Sequence, residues 1–228
     1  MLLFSPYARI NQVPVNLVYD AIRYLMFRWG FIGAFRVDNG APLGEPTRQA
    51  FSPLYLCLRA LGIHVKLNPA RSPRKNAKVE RNQGTTARWA EPAQCENYLH
   101  LQEKLNQAVI DQRENYPTRV CNFKTRAQQF PRLFDNPKRF HPQDFDIQRV
   151  FKFLGQGSWE RKVSPHGKSM LFGKNYQVGY RNRHQTFTVT FDPSNQNWVF
   201  KDSRATTICA LRATNLTQDN ICNLSFGQ

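Results

Sequence analysis

Apolar residues recur at Val18, Ile22, Leu25 and Trp29, the spacing that lines one face of a helix. Pro14 suits a first turn and Gly30 a C-terminal cap, so the pattern predicts an amphipathic helix over Pro14 to Trp29. Ala34-Phe35-Arg36-Val37 then reads as a short strand that stops at the Asn39-Gly40 turn signal, leaving Asp38 at the strand's carboxyl end. A helix over Thr47 to Leu61 and a strand over Ile63 to Leu67 follow, the strand broken by Asn68-Pro69. Two further helices are predicted over Lys75 to Ala90 and Asn97 to Glu114, the second ended by Pro117. Strand and helix alternate through this region, which predicts an α/β sheet.

From Thr118 to Asp146 the pattern loses its period and turns to Pro, Phe and Arg, the mark of a connector that wraps other surfaces. Beyond it the period becomes that of strands. Gly157 to Val163, Ser169 to Phe172, Asn175 to Val178, Thr186 to Phe191, Trp198 to Lys201 and Thr206 to Leu211 are short β-rich runs divided by Gly, Pro, Asn and Asp. Six such runs predict a small all-β barrel. Residues 1–117, 118–150 and 151–228 are the expected segments. Trp159, Tyr176 and Trp198 fall at positions that suit the barrel's core better than a base-stacking surface.

Composition adds a partner. Lys and Arg total 32 against 16 Asp and Glu, a formal charge of +16, which selects a polyanion and, best of these, nucleic acid. No run of 18 apolar residues and no basic n-region of a signal peptide occurs, so a cytoplasmic protein without membrane contact is expected. The five cysteines form no C-x-x-C pair and no zinc-ligand spacing, and read as reduced structural thiols.

Candidate chemistry lies in Arg36-Val37-Asp38-Asn39-Gly40, in Gly62-Ile63, and in Pro69-Ala70-Arg71-Ser72-Pro73-Arg74-Lys75-Asn76-Ala77-Lys78-Val79-Glu80-Arg81. An Asp beside a turn signal is ordinarily structural, and a Glu in a first helical turn ordinarily complements the helix dipole. Their joint occurrence in this order resembles the DDE integrase and transposase superfamily, in particular bacterial insertion-sequence transposases. In that family an aspartate in a strand-end D-N-G and a glutamate in N-G-K-x-E-R are metal-binding carboxylates, which carries onto Asp38 and Glu80. Ala77 stands where the family usually has Gly, and the connection between Asp38 and Glu80 is longer than in retroviral members.

The resemblance implies a ribonuclease H-like fold, truncated at its start, followed by a helical connector and the small β-barrel. It also implies a metal-dependent polynucleotidyl transferase that joins DNA ends. Such chemistry uses two divalent ions, Mg2+ or Mn2+, held by hard oxygen ligands. Family members carry a first aspartate on an earlier strand, and residues 1–13 hold neither Asp nor Glu. Asp20 sits within a helical pattern, where it is a poor substitute. The chain alone is therefore expected to be inactive, with a two-metal site formed only if the missing aspartate is supplied.

Lys66, Arg71, Arg74, Lys75, Lys78, Arg81 and Arg88 surround the single acid Glu80 and read either as a DNA-backbone surface or as a solvated basic face. Asn76 either contacts DNA or caps the helix. In the β-rich tail, Arg161, Lys162, Lys174, Arg181 and Arg183 are the candidates for phosphate contact, with plain surface charge as the competing reading. The implied partners are transposon-end and target DNA and, in a full-length protein, further copies of the chain. A non-catalytic DNA-binding relic and a basic RNA-binding protein are the rival readings.

Overall fold

The computed structural model of the chain describes residues 15–37, 43–45, 50–68, 77–132 and 141–222. The chain is mixed α/β. In order it runs α1 (Val15–Trp29), β1 (Ala34–Val37), β2 (Gly44–Glu45), β3 (Ala50–Phe51), α2 (Pro53–Ala60), β4 (His64–Leu67), α3 (Ala77–Ala90), α4 (Tyr98–Ile110) and α5 (Arg126–Gln129). It continues through α6 (Ile147–Leu154), β5 (Ser158–Lys162), β6 (Lys168–Leu171), β7 (Lys174–Gln177), β8 (Thr186–Asp192), β9 (Asn197–Lys201), β10 (Thr207–Arg212) and α7 (Gln218–Cys222). Two compact units share these elements by interleaving along the sequence: Met1–Ile32 with Ala70–Phe140, and Gly33–Pro69 with His141–Gln228.

The first unit is helical. α1 buries Ala21, Ile22 and Met26 and closes where the Gly30 amide, at φ 84°, donates to the Met26 carbonyl at 3.0 Å. Asn97 caps α4 by accepting from the amides of Leu99 and His100. The expected helix to Glu114 divides into α4 and a π-helical turn over Asp111–Asn115. α3 packs on α4, and the pair is pinned by a buried bond in which Gln112 Nε2 donates to Thr86 Oγ1 at 2.8 Å. The Arg113 guanidinium lies 4.6 Å over the Trp29 ring and ties the π turn to α1.

The second unit carries the sheets. β1 and β4 pair in parallel, Ala34 against His64 through Val37 against Leu67, with α2 in the crossover. The helix expected from Thr47 begins at Pro53 instead, because Ala50 and Phe51 pair with β2 and Ser52 caps the helix by accepting from the Tyr55 amide. Proline disfavours helical backbone in the residue before it and fits the first turn after it, so Pro53 fixes this start.

All six β-rich runs of the tail are strands, but among the described residues they do not close into the expected barrel. β10, β9, β8 and β5 form an open antiparallel sheet in that order, and β6 with β7 forms a separate hairpin. The apolar face of the sheet is covered without closure. Phe172, in the hairpin turn, stacks on Trp198 at 5.1 Å, and Phe151 of α6 reaches Phe191 at 5.4 Å. Trp159, Tyr176 and Trp198 are buried in this cluster, as their positions in the sequence suggested. Burying one large aromatic stabilises by about 2–3 kcal/mol, which explains why this cluster organises the tail.

Candidate nucleic-acid interface

β1 ends at Val37, so Asp38 is the next residue along the chain, although Asp38 itself lies outside the described residues. Beside it β4 ends level with Val37, at Leu67, and the residue after it adds one more bond. The Asn68 amide donates to the Val37 carbonyl at 2.9 Å, and Asn68 is buried. Glu80 stands in the first turn of α3, exposed to solvent, in the other compact unit. Arg71, Arg74, Lys75 and Asn76 lie outside the described residues, and Lys78 belongs to the first turn of α3.

Among the described residues no three His, Cys, Asp or Glu side chains are grouped so as to hold a metal ion. Glu80 alone does not make a metal centre. Asp20 is an exposed residue of α1 that pairs with Arg23 at 3.6 Å, consistent with a surface role.

Arg81 and Arg88 are both exposed on α3. Seven residues apart, they are two turns distant on one helix face, about 10 Å along the axis. Gly84 lies between them, where an added Cβ would meet nothing within 4 Å. The Arg88 Nε donates back to the Gly84 carbonyl at 3.4 Å. That face presents cations over an unobstructed stretch of backbone, which suits a phosphate chain. Lys66 is an exposed residue of β4, in the other unit.

The tail's five candidate cations separate into three environments. Alternation along β5 sends Arg161 and Lys162 to opposite faces. Lys162 is exposed, whereas Arg161 is half-buried, donates to the Glu160 carbonyl at 2.8 Å and has its guanidinium pulled below the ordinary value by burial. Lys174 is at the turn end of the β6–β7 hairpin, bonded to Thr214. Lys162, Arg181 and Arg183 are brought to the opposite end, where the chain leaving β5 meets the chain entering β8: the His184 amide donates to the Val163 carbonyl at 2.9 Å.

Residues that motif reading passed over join them there. Lys168 and His166 are exposed, and Gln177 Nε2 donates to the His166 carbonyl at 3.4 Å. Tyr180 is 62% exposed with the Arg183 guanidinium 4.5 Å over its ring. One plain signal marks this region in the sequence: from Arg161 to Phe191 no Asp or Glu occurs.

Among the described residues no helix is long and apolar enough to cross a membrane. No protein-family model matches the chain, and no curated protein matches it.

Proposed function

We propose that the chain is part of a DDE-type transposase that engages DNA ends for strand transfer and integration, on a ribonuclease H-like core. The reading is supported by a strand that stops one residue before Asp38 beside a parallel partner and, separately, by a helix whose first turn holds Glu80. Parallel α/β sheets present ligands at the carboxyl ends of their strands, which is the end Asp38 follows. Glu80 is free of burial, as a carboxylate that must face a phosphodiester would be. Arg81, one residue on, and Arg88 supply phosphate contacts along the same helix.

The role of the chain's own groups in this reading is to bind and orient. Exposed cations neutralise backbone phosphates and release counterions, which gives salt-dependent affinity with little sequence preference. Asp38 and Glu80 are the two carboxylates that this reading assigns to the transfer. Mg2+ or Mn2+, when bound, would supply charge neutralisation for the transfer. Further copies of the chain and both transposon-end and target DNA are the partners that belong to this function.

Photo-cross-linking tests it. A benzophenone side chain is placed at position 38 in one variant and at 80 in another, and each is irradiated on a duplex with a free 3′-OH end. The reading expects both to attach at the same phosphate or its neighbour. Cross-links to well-separated nucleotides would leave a DNA-binding protein without this site, and cross-links to neither would remove the reading altogether.

A further inference from the structure

The basic end of the tail sheet carries more than charge. We infer that it binds an unpaired nucleic-acid strand, with Tyr180 as the platform on which a base stacks. The inference needs neither Asp38 nor Glu80, and so stands apart from the strand-transfer reading.

Two turns are locked together to build this surface. Gly167 has φ 72°, and its carbonyl accepts from the amides of Val178 and Gly179 at 2.9 and 3.1 Å. A Cβ at Gly167 would lie 2.8 Å from the Gly179 carbonyl carbon and the Tyr180 amide nitrogen, so only glycine permits the approach. Tyr180 therefore starts from a fixed backbone. A rigid, exposed aromatic loses little conformational entropy when a base covers it.

Its surroundings select an anion. Lys162, Lys168, Arg181 and Arg183 are all exposed, and the segment from Arg161 to Phe191 has no acidic residue to oppose them. Two acids border the group: Glu160, two residues before Lys162 on the same face of β5, and Asp202, just past β9 at this end of the sheet, whose carboxylate accepts from the Arg204 and Thr206 amides. Arg183 lies over one face of the Tyr180 ring as a cation–π pair and places a positive charge there, while the residue's 62% exposure leaves ring surface for a base. A duplex offers phosphates but keeps its bases stacked on one another. An unpaired strand offers both a phosphate for the cations and a free π face for Tyr180.

The experiment measures affinity of the full chain for a fluorescent single-stranded DNA, a single-stranded RNA, a duplex and heparin, all at one salt concentration. Tyr180→Ala is expected to lose about 5- to 100-fold on single strands, with little change on duplex or heparin. Tyr180→Phe should keep single-strand affinity, because the ring and not the hydroxyl does the stacking. Lys162→Gln with Lys168→Gln should weaken all four ligands. The relative loss on DNA and on RNA tells which strand the platform accepts, and a loss on either supports it. Equal loss on duplex and single strand in Tyr180→Ala, or no loss on either with an unchanged urea midpoint, overturns the inference. The strand-transfer reading is tested separately by the cross-links at positions 38 and 80, so its failure would leave these affinities unexplained by it and the Tyr180 result standing.

Discussion

The amide of Asn68 donates to the carbonyl of Val37 at 2.9 Å, extending the parallel ladder one rung beyond β1 and holding the peptide from which Asp38 departs. Asn68 is 5% exposed and has a further interaction besides this backbone bond. Asn68→Ala is therefore expected to cost about 1–3 kcal/mol, the usual loss when a buried polar group's partner is removed. A carboxylate kept for function contributes nothing comparable. Asp38→Ala should leave the urea midpoint unchanged if Asp38 faces substrate, and lower it by about 1 kcal/mol equivalent if its side chain instead closes the Asn39-Gly40 turn. Urea unfolding of the two variants side by side decides between these roles.

In the proposed reading the first metal-binding aspartate of DDE transposases finds no match in residues 1–13, which hold neither Asp nor Glu, and Asp20 is an exposed helical residue paired with Arg23. Losing one carboxylate of three costs orders of magnitude in rate. The chain by itself should give no Mg2+-dependent strand-transfer product above background on a pre-cleaved donor end. Robust product would show that another residue completes the site.

Arg81 and Arg88 offer a quantitative test of the α3 face. Each phosphate neutralised adds about 0.9 to the magnitude of the slope of log affinity against log salt. Arg81→Gln with Arg88→Gln should flatten that slope on duplex DNA by about 2 and weaken binding across sequences alike. An unchanged slope would mean that this face is merely solvated.

Thr86 Oγ1 accepts from Gln112 Nε2 at 2.8 Å and donates to the Asn82 carbonyl at 2.9 Å, with Thr86 fully buried. Thr86→Val keeps the shape but strands the Gln112 amide, and should cost about 1–3 kcal/mol. Thr86→Val with Gln112→Leu removes both partners and should recover most of that loss. The sign of the coupling in a double-mutant cycle checks it.

How far the sequence foretold this architecture depends on the range of the forces involved. α1 and its Gly30 cap, the β1 strand and all six tail strands rest on local periodicity and turn chemistry, and they occur where those signals lie. The start of α2 was also written locally, in Ser52-Pro53, but the apolar spacing before it masked the signal. Sheet closure is different, since nothing local says whether β10 meets β5. The answer came from Phe172 and Phe151 covering the aromatic face across long stretches of chain. The Thr86–Gln112 bond was hidden for the same reason. For the candidate site, the motif named Asp38 and Glu80 without reference to their setting, whereas the Tyr180 end emerges only when two turns are seen to share Gly167.

Tyr176 gives the tail a testable alkaline limit. Its hydroxyl donates to Asn215 Oδ1, Asn215 Nδ2 donates to the Phe172 carbonyl at 3.0 Å, and the ring is buried in the Trp198 cluster. Burial raises its pKa above the ordinary value of 10.0, against smaller lowering from the polar groups around it, Trp198 foremost. The folded state thus favours the neutral phenol more than the unfolded state does. That contribution is fully present below about pH 10 and disappears as pH climbs through the folded value. Tyr176→Phe should be less stable at neutral pH by about 1 kcal/mol, from the lost hydrogen bond. The gap between wild type and variant should then narrow above pH 10, because only the wild type has this phenol to ionise. Tyr55, also raised chiefly by burial, would retain part of the alkaline sensitivity in the variant. Urea midpoints of both proteins from pH 7 to the tyrosine range, followed by tryptophan fluorescence, measure the gap; a constant difference across that range would show that Tyr176 ionises alike in both states.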